Sequence, residues 1–98
     1  MISWPAKDPN EVLDYQLDWA DANNPRLVTA ETLLTSTYSV VSGDVAINSS
    51  TFLSTGLTTV WLSGGTVDTS AVILNRVTTS GGRTYDQGCK LRVRSKNG

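Results

Sequence analysis

Ala71–Arg94 reads AVILNRVTTSGGRTYDQGCKLRVR, and this stretch decides the fold. Two runs rich in β-branched residues flank Ser80-Gly81-Gly82, and glycines take the positive φ angles that a tight turn between antiparallel strands requires. The stretch is therefore a β-hairpin near the end of the chain. With Gly81 and Gly82 as the two central turn residues, Val72 faces Leu91 and Leu74 faces Cys89, but Arg76 then shares their face. A bulge at Gly88 would switch which side chains point inward, and the pattern leaves both registers open.

Working outward, the same grammar of short strands and turns recurs. Val12–Ala20 alternates, with Leu13, Tyr15, Leu17 and Trp19 on one face and Asp14, Gln16 and Asp18 on the other, the period of two of a half-buried strand. Asp21–Pro25 reads as a turn. Thr32–Val41 is a second strand, with Leu34, Ser36, Tyr38 and Val40 on one face, stopped by Ser42-Gly43-Asp44. Val45–Asn48 and Thr51–Ser54 are weaker strands, and Leu57–Ser63 is a stronger one ending at Gly64-Gly65. Pro5 and Pro9 remove backbone donors and favour extended predecessors, so residues 1–10 read as an arm. The expected fold is all-β: an immunoglobulin-like β-sandwich of about seven strands over residues 11–98, preceded by an extended N-terminal arm. In such a sandwich Trp61 is expected between the sheets, and Tyr15 and Trp19 in the core.

A chain of 98 residues makes one domain with a modest core. It has no histidine and one cysteine, Cys89. The commonest general base and zinc ligand are thus missing, and no internal disulfide can form. Cys89 has basic neighbours in Lys90 and Arg92 but no partner histidine, so it reads as a half-buried structural residue. Asp14 and Asp18 share a strand face but lie about 13 Å apart, too far to hold one ion between them. Phosphate-binding, calcium-loop and nucleophile-elbow motifs are absent. No catalysis, cofactor or metal is expected. Met1–Lys7 does not resemble a signal peptide, and no apolar run is long enough to span a membrane.

The net charge is −1, with −5 carried by residues 1–44 and +4 by the remainder. The basic tail, Lys90, Arg92, Arg94 and Lys96, lacks the interleaved aromatics and basic total of a nucleic-acid binder. If the first strand lies beside the last, the acidic face of Val12–Ala20 meets Lys90, Arg92 and Arg94. That juxtaposition is either a charge ladder within one molecule or the meeting of one copy's acidic edge with the next copy's basic edge in a head-to-tail ring.

Three segments carry a resemblance: WPAKDPNEVLDYQLDW (Trp4–Trp19), TTVWLSGGT (Thr58–Thr66) and RVTTSGGRTYD (Arg76–Asp86). Together they resemble the small bacteriophage virion proteins described as phage fibre-tail adaptors. A tyrosine expected near Ala71–Val72 is missing. The resemblance implies a structural part made in the host cytoplasm and built into the virion at the neck, tail or fibre attachment, in contact with other virion proteins and in several copies. Capsid decoration or surface-glycan binding, with Trp61 or Trp4 as a stacking platform, are the alternatives. On the adaptor reading, Lys7-Asp8-Pro9 holds the arm extended and places Trp4 away from the domain to insert into a neighbour. The residues expected in protein contacts are Trp4, Lys7, Asp8, Asp14, Asp18, Lys90, Arg92 and Arg94.

Overall fold

The structure, a computed structural model, describes residues 1–20 and 31–96; the turn expected at Asp21–Pro25 lies outside them. The described residues form seven strands: β1 (Ile2–Ser3), β2 (Leu13–Asp18), β3 (Leu33–Ser42), β4 (Val45–Phe52), β5 (Leu57–Gly64), β6 (Ser70–Thr79) and β7 (Thr84–Arg92). They make two sheets packed as a sandwich, one ordered β1-β7-β6-β3 and the other β2-β5-β4. The all-β class is as expected.

The β6–β7 hairpin settles its register by the length of its turn. The Thr79 N–H donates to the Arg83 carbonyl at 2.9 Å and the Gly82 N–H to the Thr79 carbonyl at 3.0 Å. Three residues, Ser80, Gly81 and Gly82, therefore form the loop, and Gly82 takes the left-handed conformation (φ 80°) such a loop demands. Ile73 then faces Cys89 and Ala71 faces Leu91, one residue out from the register with two central turn residues. No bulge occurs at Gly88, since pairing is continuous from Ser70↔Arg92 to Thr78↔Thr84. The shift turns Arg76 outward, where it forms a two-pronged pair with Asp86 at 2.7 and 2.9 Å.

Two further expectations change. Val45–Asn48 and the first half of Thr51–Ser54 fall on one strand, β4, which ends at Phe52 and has an irregularity between Ile47 and Ser49. In β3 an irregularity between Leu33 and Thr35 buries Leu33 and leaves Leu34 exposed, while Ser36, Tyr38 and Val40 keep the expected inward phase.

The inner faces bury Tyr15, Val45, Val60, Leu62, Ala71, Ile73, Leu91 and Val93 in one cluster, and Trp19, Leu33 and Val77 in a second, capped by Tyr85 stacked on Trp19 at 5.8 Å. Each large aliphatic side chain removed from water contributes about 1.5–3 kcal/mol. Between the clusters, on the inner face of β6, sits Asn75, wholly buried. Its Oδ1 accepts from Trp19 Nε1 (2.9 Å) and Thr58 Oγ1 (3.0 Å), and its Nδ2 donates to Ser36 Oγ and the Thr37 carbonyl (both 2.9 Å). The Tyr38 hydroxyl lies 2.7 Å from Thr58 Oγ1. Burial pushes the Tyr38 hydroxyl up to about 12, so it stays protonated and can donate to Thr58, which in turn donates to Asn75. Every polar atom of the Asn75 amide is satisfied, and the chain of bonds joins β3, β5, β6 and the end of β2.

Replacing Asn75 with leucine keeps the branched shape, adds volume and removes the acceptor that Trp19 Nε1 and Thr58 share. Asn75→Leu is expected to cost about 2–4 kcal/mol, read as a lower urea midpoint with an unchanged slope.

Candidate functional site

The arm lies against the sandwich instead of standing away from it. Ile2 and Ser3 pair in parallel with Cys89 and Lys90, and Trp4, Lys7 and Arg94 continue the run through backbone bonds to the Lys90, Arg92 and Lys7 carbonyls. The first strand thus does lie beside the last, but it is the arm that does so. Val12–Ala20 contributes β2 in the other sheet, paired with β5. Trp4 packs on the core, stacked on Tyr15 at 4.9 Å and 17°, and the Tyr15 hydroxyl donates to the Pro5 carbonyl at 3.0 Å. Burial pushes that hydroxyl up to about 12, which keeps it a donor. Trp4 therefore packs within its own molecule and does not stand away from the domain as expected. Its indole N–H is buried with no acceptor.

Lys7 and Asp8, expected at the surface, are buried at 0% and 4% exposure. Lys7 Nζ donates to the Asp8 carbonyl (2.8 Å) and the Gly64 carbonyl (2.7 Å), which ties the arm to the end of β5. Burial pushes the Lys7 ammonium below its ordinary value, against the opposing pull of Glu11 and Asp8. Asp8 accepts from the Asn10 N–H (2.8 Å) and the Lys96 N–H (2.7 Å), while Glu11 Oε1 accepts from the Asp8 N–H (2.9 Å) and pairs with Lys96 Nζ (2.8 Å). The K-D-P-N-E run is thus a tight turn whose side chains clamp Arg94–Lys96 against the arm. Backbone donors hold the Asp8 carboxyl below its usual range, and the Lys96 ammonium does the same for Glu11. The expected extended conformation holds up to Lys7, where the arm runs beside β7, and gives way to this turn at Asp8–Glu11. The partners of the run, tens of residues away, are not legible in the sequence.

The remaining expected contact residues are exposed, but on opposite sides of the sandwich. Asp14 and Asp18 point outward from β2; Lys90 and Arg92 point outward from β7 and Arg94 continues the row. A charge ladder within one molecule is therefore ruled out, because β2 and β7 belong to different sheets. Strands β2, β4 and β5 contain no lysine or arginine. Their outer face is acidic, and the outer face along β7 is basic.

Trp61 belongs to the acidic face. In β5 the residues Thr58, Val60 and Leu62 point inward and are wholly buried, whereas Trp61 points outward, 41% exposed. The expectation that it sits between the sheets fails, and Trp19 is the tryptophan buried there. The in-phase aliphatics at 60 and 62 were the signal that could have placed Trp61 outside. Across the sheet Trp61 lies between Asp14 on β2 and Ser49 on β4. Cys89 is wholly buried on the inner face of β7. Among the described residues no three histidine, cysteine or acidic side chains are grouped to hold a metal ion.

Two outcomes check the arm. Trp4→Phe keeps the ring stacking and removes an unsatisfied donor, so its stability should stay within about 1 kcal/mol of the parent or exceed it, whereas Trp4→Ala should lose about 3 kcal/mol. Asp8 and Glu11 titrate below their ordinary values of 3.8 and 4.5 when folded. Their stabilisation is present above those values and is lost as the pH falls through the lower, folded ones. Urea midpoints should drop on acidification below about pH 4.5, and less steeply in Asp8→Asn/Glu11→Gln.

A family model described as podophage GP4 fiber-tail adaptor protein gp77 matches residues 7–92. The match begins at Lys7, the first residue of the clamp, and runs to the end of β7. No curated protein matches the chain.

Proposed function

The chain belongs to the podophage GP4 fiber-tail adaptor family, and from that membership we propose that it joins fibre to tail in a podophage virion through contacts between proteins. The family match over 7–92 carries this reading. A structural adaptor needs a rigid body with addressable surfaces, and two features of the fold suit that task. The arm and the C-terminal residues are bound into the sandwich by the Lys7, Asp8 and Glu11 bonds, so the body presents a fixed shape. The strands at the sheet margins, β3 on one side and β2 and β4 on the other, offer backbone groups along which a partner's extended segment can dock. Repetition of such weak contacts around a ring would multiply them. Asp14, Asp18, Lys90, Arg92 and Arg94 are the exposed residues through which these contacts would run. Trp4, Lys7 and Asp8 act indirectly, by holding the arm in place.

Surface-glycan binding, the second reading, is favoured by one observation, the exposed Trp61 flanked by polar side chains. Capsid decoration has no comparable support.

The adaptor reading is checked with phage particles assembled without this protein. They should lack fibres, and the purified full chain, added back, should co-sediment with them and restore fibre attachment. Particles that carry a normal complement of fibres in its absence would end the proposal.

A further inference from the structure

The sandwich carries unlike charges on its two outer faces. Lys90, Arg92 and Arg94 form one outward row, and among the described residues none of them is in an ion pair, whereas the other basic side chains are engaged: Arg76 with Asp86, Arg83 with Glu31, Lys96 with Glu11, and Lys7 with backbone carbonyls. On the opposite face Asp14 and Asp18 are likewise outside any ion pair. The two rows share a pitch. Asp14 and Asp18 are four residues apart on an extended chain, as are Lys90 and Arg94, a span of about 13 Å in each case. Beside Asp14, as its direct cross-strand neighbour, stands the exposed ring of Trp61. Direct cross-strand neighbours place their Cβ atoms about 5 Å apart. One guanidinium can therefore stack on the indole while its N–H groups engage the carboxylate, joining a cation–π contact to a charge-assisted hydrogen bond.

We infer that the Trp61–Asp14 face of one copy receives the Lys90–Arg94 row of a second copy, head to tail, with an arginine seated on Trp61. This deepens the adaptor reading and rests on it only for the setting in which copies meet. Charge complementarity selects the occupant: the acidic face would repel itself in a two-fold pairing of like faces, whereas the chain's own β7 row supplies cations at matching spacing. The contact uses different patches on the two partners, so it propagates into a ring or row and does not stop at a dimer. One face of a three-stranded sheet is small, a few hundred Å² per partner and below the roughly 800 Å² of a standard interface. The isolated pair is consequently weak and salt-sensitive, and it gains strength when copies are gathered on a common support.

Two face-blocked variants of the full chain test this, Asp14→Ala/Trp61→Ala and Arg92→Ala/Arg94→Ala, each verified as folded by circular dichroism. In sedimentation experiments up to about 1 mM, the parent should associate with rising concentration and dissociate at high salt. Each variant alone should associate at least about tenfold more weakly. An equimolar mixture of the two should recover a complex that stops at one of each, since one intact acidic face and one intact basic face remain. A parent that stays monomeric throughout, a mixture that does not pair, or association unaffected in both variants would overturn the inference. So would loss of oligosaccharide binding in Trp61→Ala on a glycan array with self-association intact. In each of these cases the adaptor reading would still be judged separately, by co-sedimentation of the parent chain with fibre-less particles.

Discussion

The Asn75 side-chain amide is the constraint on which the rest of the architecture depends. A sandwich of this size has little apolar area to spend, and here the area is divided into two clusters by a polar residue at the middle of the central strand. The arrangement is stable only because every lone pair and N–H of that amide is used, by partners on β3, by Thr58 on β5 and by Trp19 at the end of β2. In a low-dielectric interior such bonds are directional, and each fixes the sheets against sliding in a way that aliphatic contacts do not. Trp19 is held by both its ring and its N–H, so the end of β2 cannot rotate without breaking the network.

The arm solves a second problem. One margin of the larger sheet ends at β7, and the arm covers part of that strand while its tryptophan packs over the sandwich interior beside Tyr15. The buried Trp4 N–H and the buried Lys7 ammonium are costs of this closure, and Lys7 meets its own by bonding two carbonyls, one of them at the far end of β5. Beginning and end of the described chain are therefore tied to each other as well as to the core, so the outward-facing charges on β2 and β7 project from a body whose ends are fastened.

How much of this was legible in the sequence depended on the range of the interactions involved. The alternation in β2 announced its buried face, Tyr15, Leu17 and Trp19, because a period of two is a local signal. The hairpin announced itself through its glycines, but two-residue and three-residue loops use the same residues, and only the outward pairing of Arg76 with Asp86 separates them. Lys7, Asp8 and Trp4 are visible as a motif that points to a partner, because charged and aromatic residues on a Pro-containing arm ordinarily face water. Their partners within the molecule, Gly64, Lys96 and Tyr15, are brought near only by the completed fold. Asn75 gave no local sign at all: its acceptor and donor partners lie 17 to 56 residues away. Trp61 is different, since Val60 and Leu62 had already fixed the inward phase of β5.

The three-residue loop at the tip of the β6–β7 hairpin has a consequence for how this surface can evolve. Directly opposed residues on paired strands share a side of the sheet, so closing the hairpin on Gly81 and Gly82 alone, with Ser80 opposite Arg83, would set β7 out of step by one position, turning Lys90 and Arg92 toward the apolar interior and Cys89 and Leu91 to water. Insertions or deletions confined to that tip are thus compatible with the fold wherever the Thr79–Arg83 pair is kept. The electrostatic polarity of the two faces hangs on which pair of residues closes one small loop.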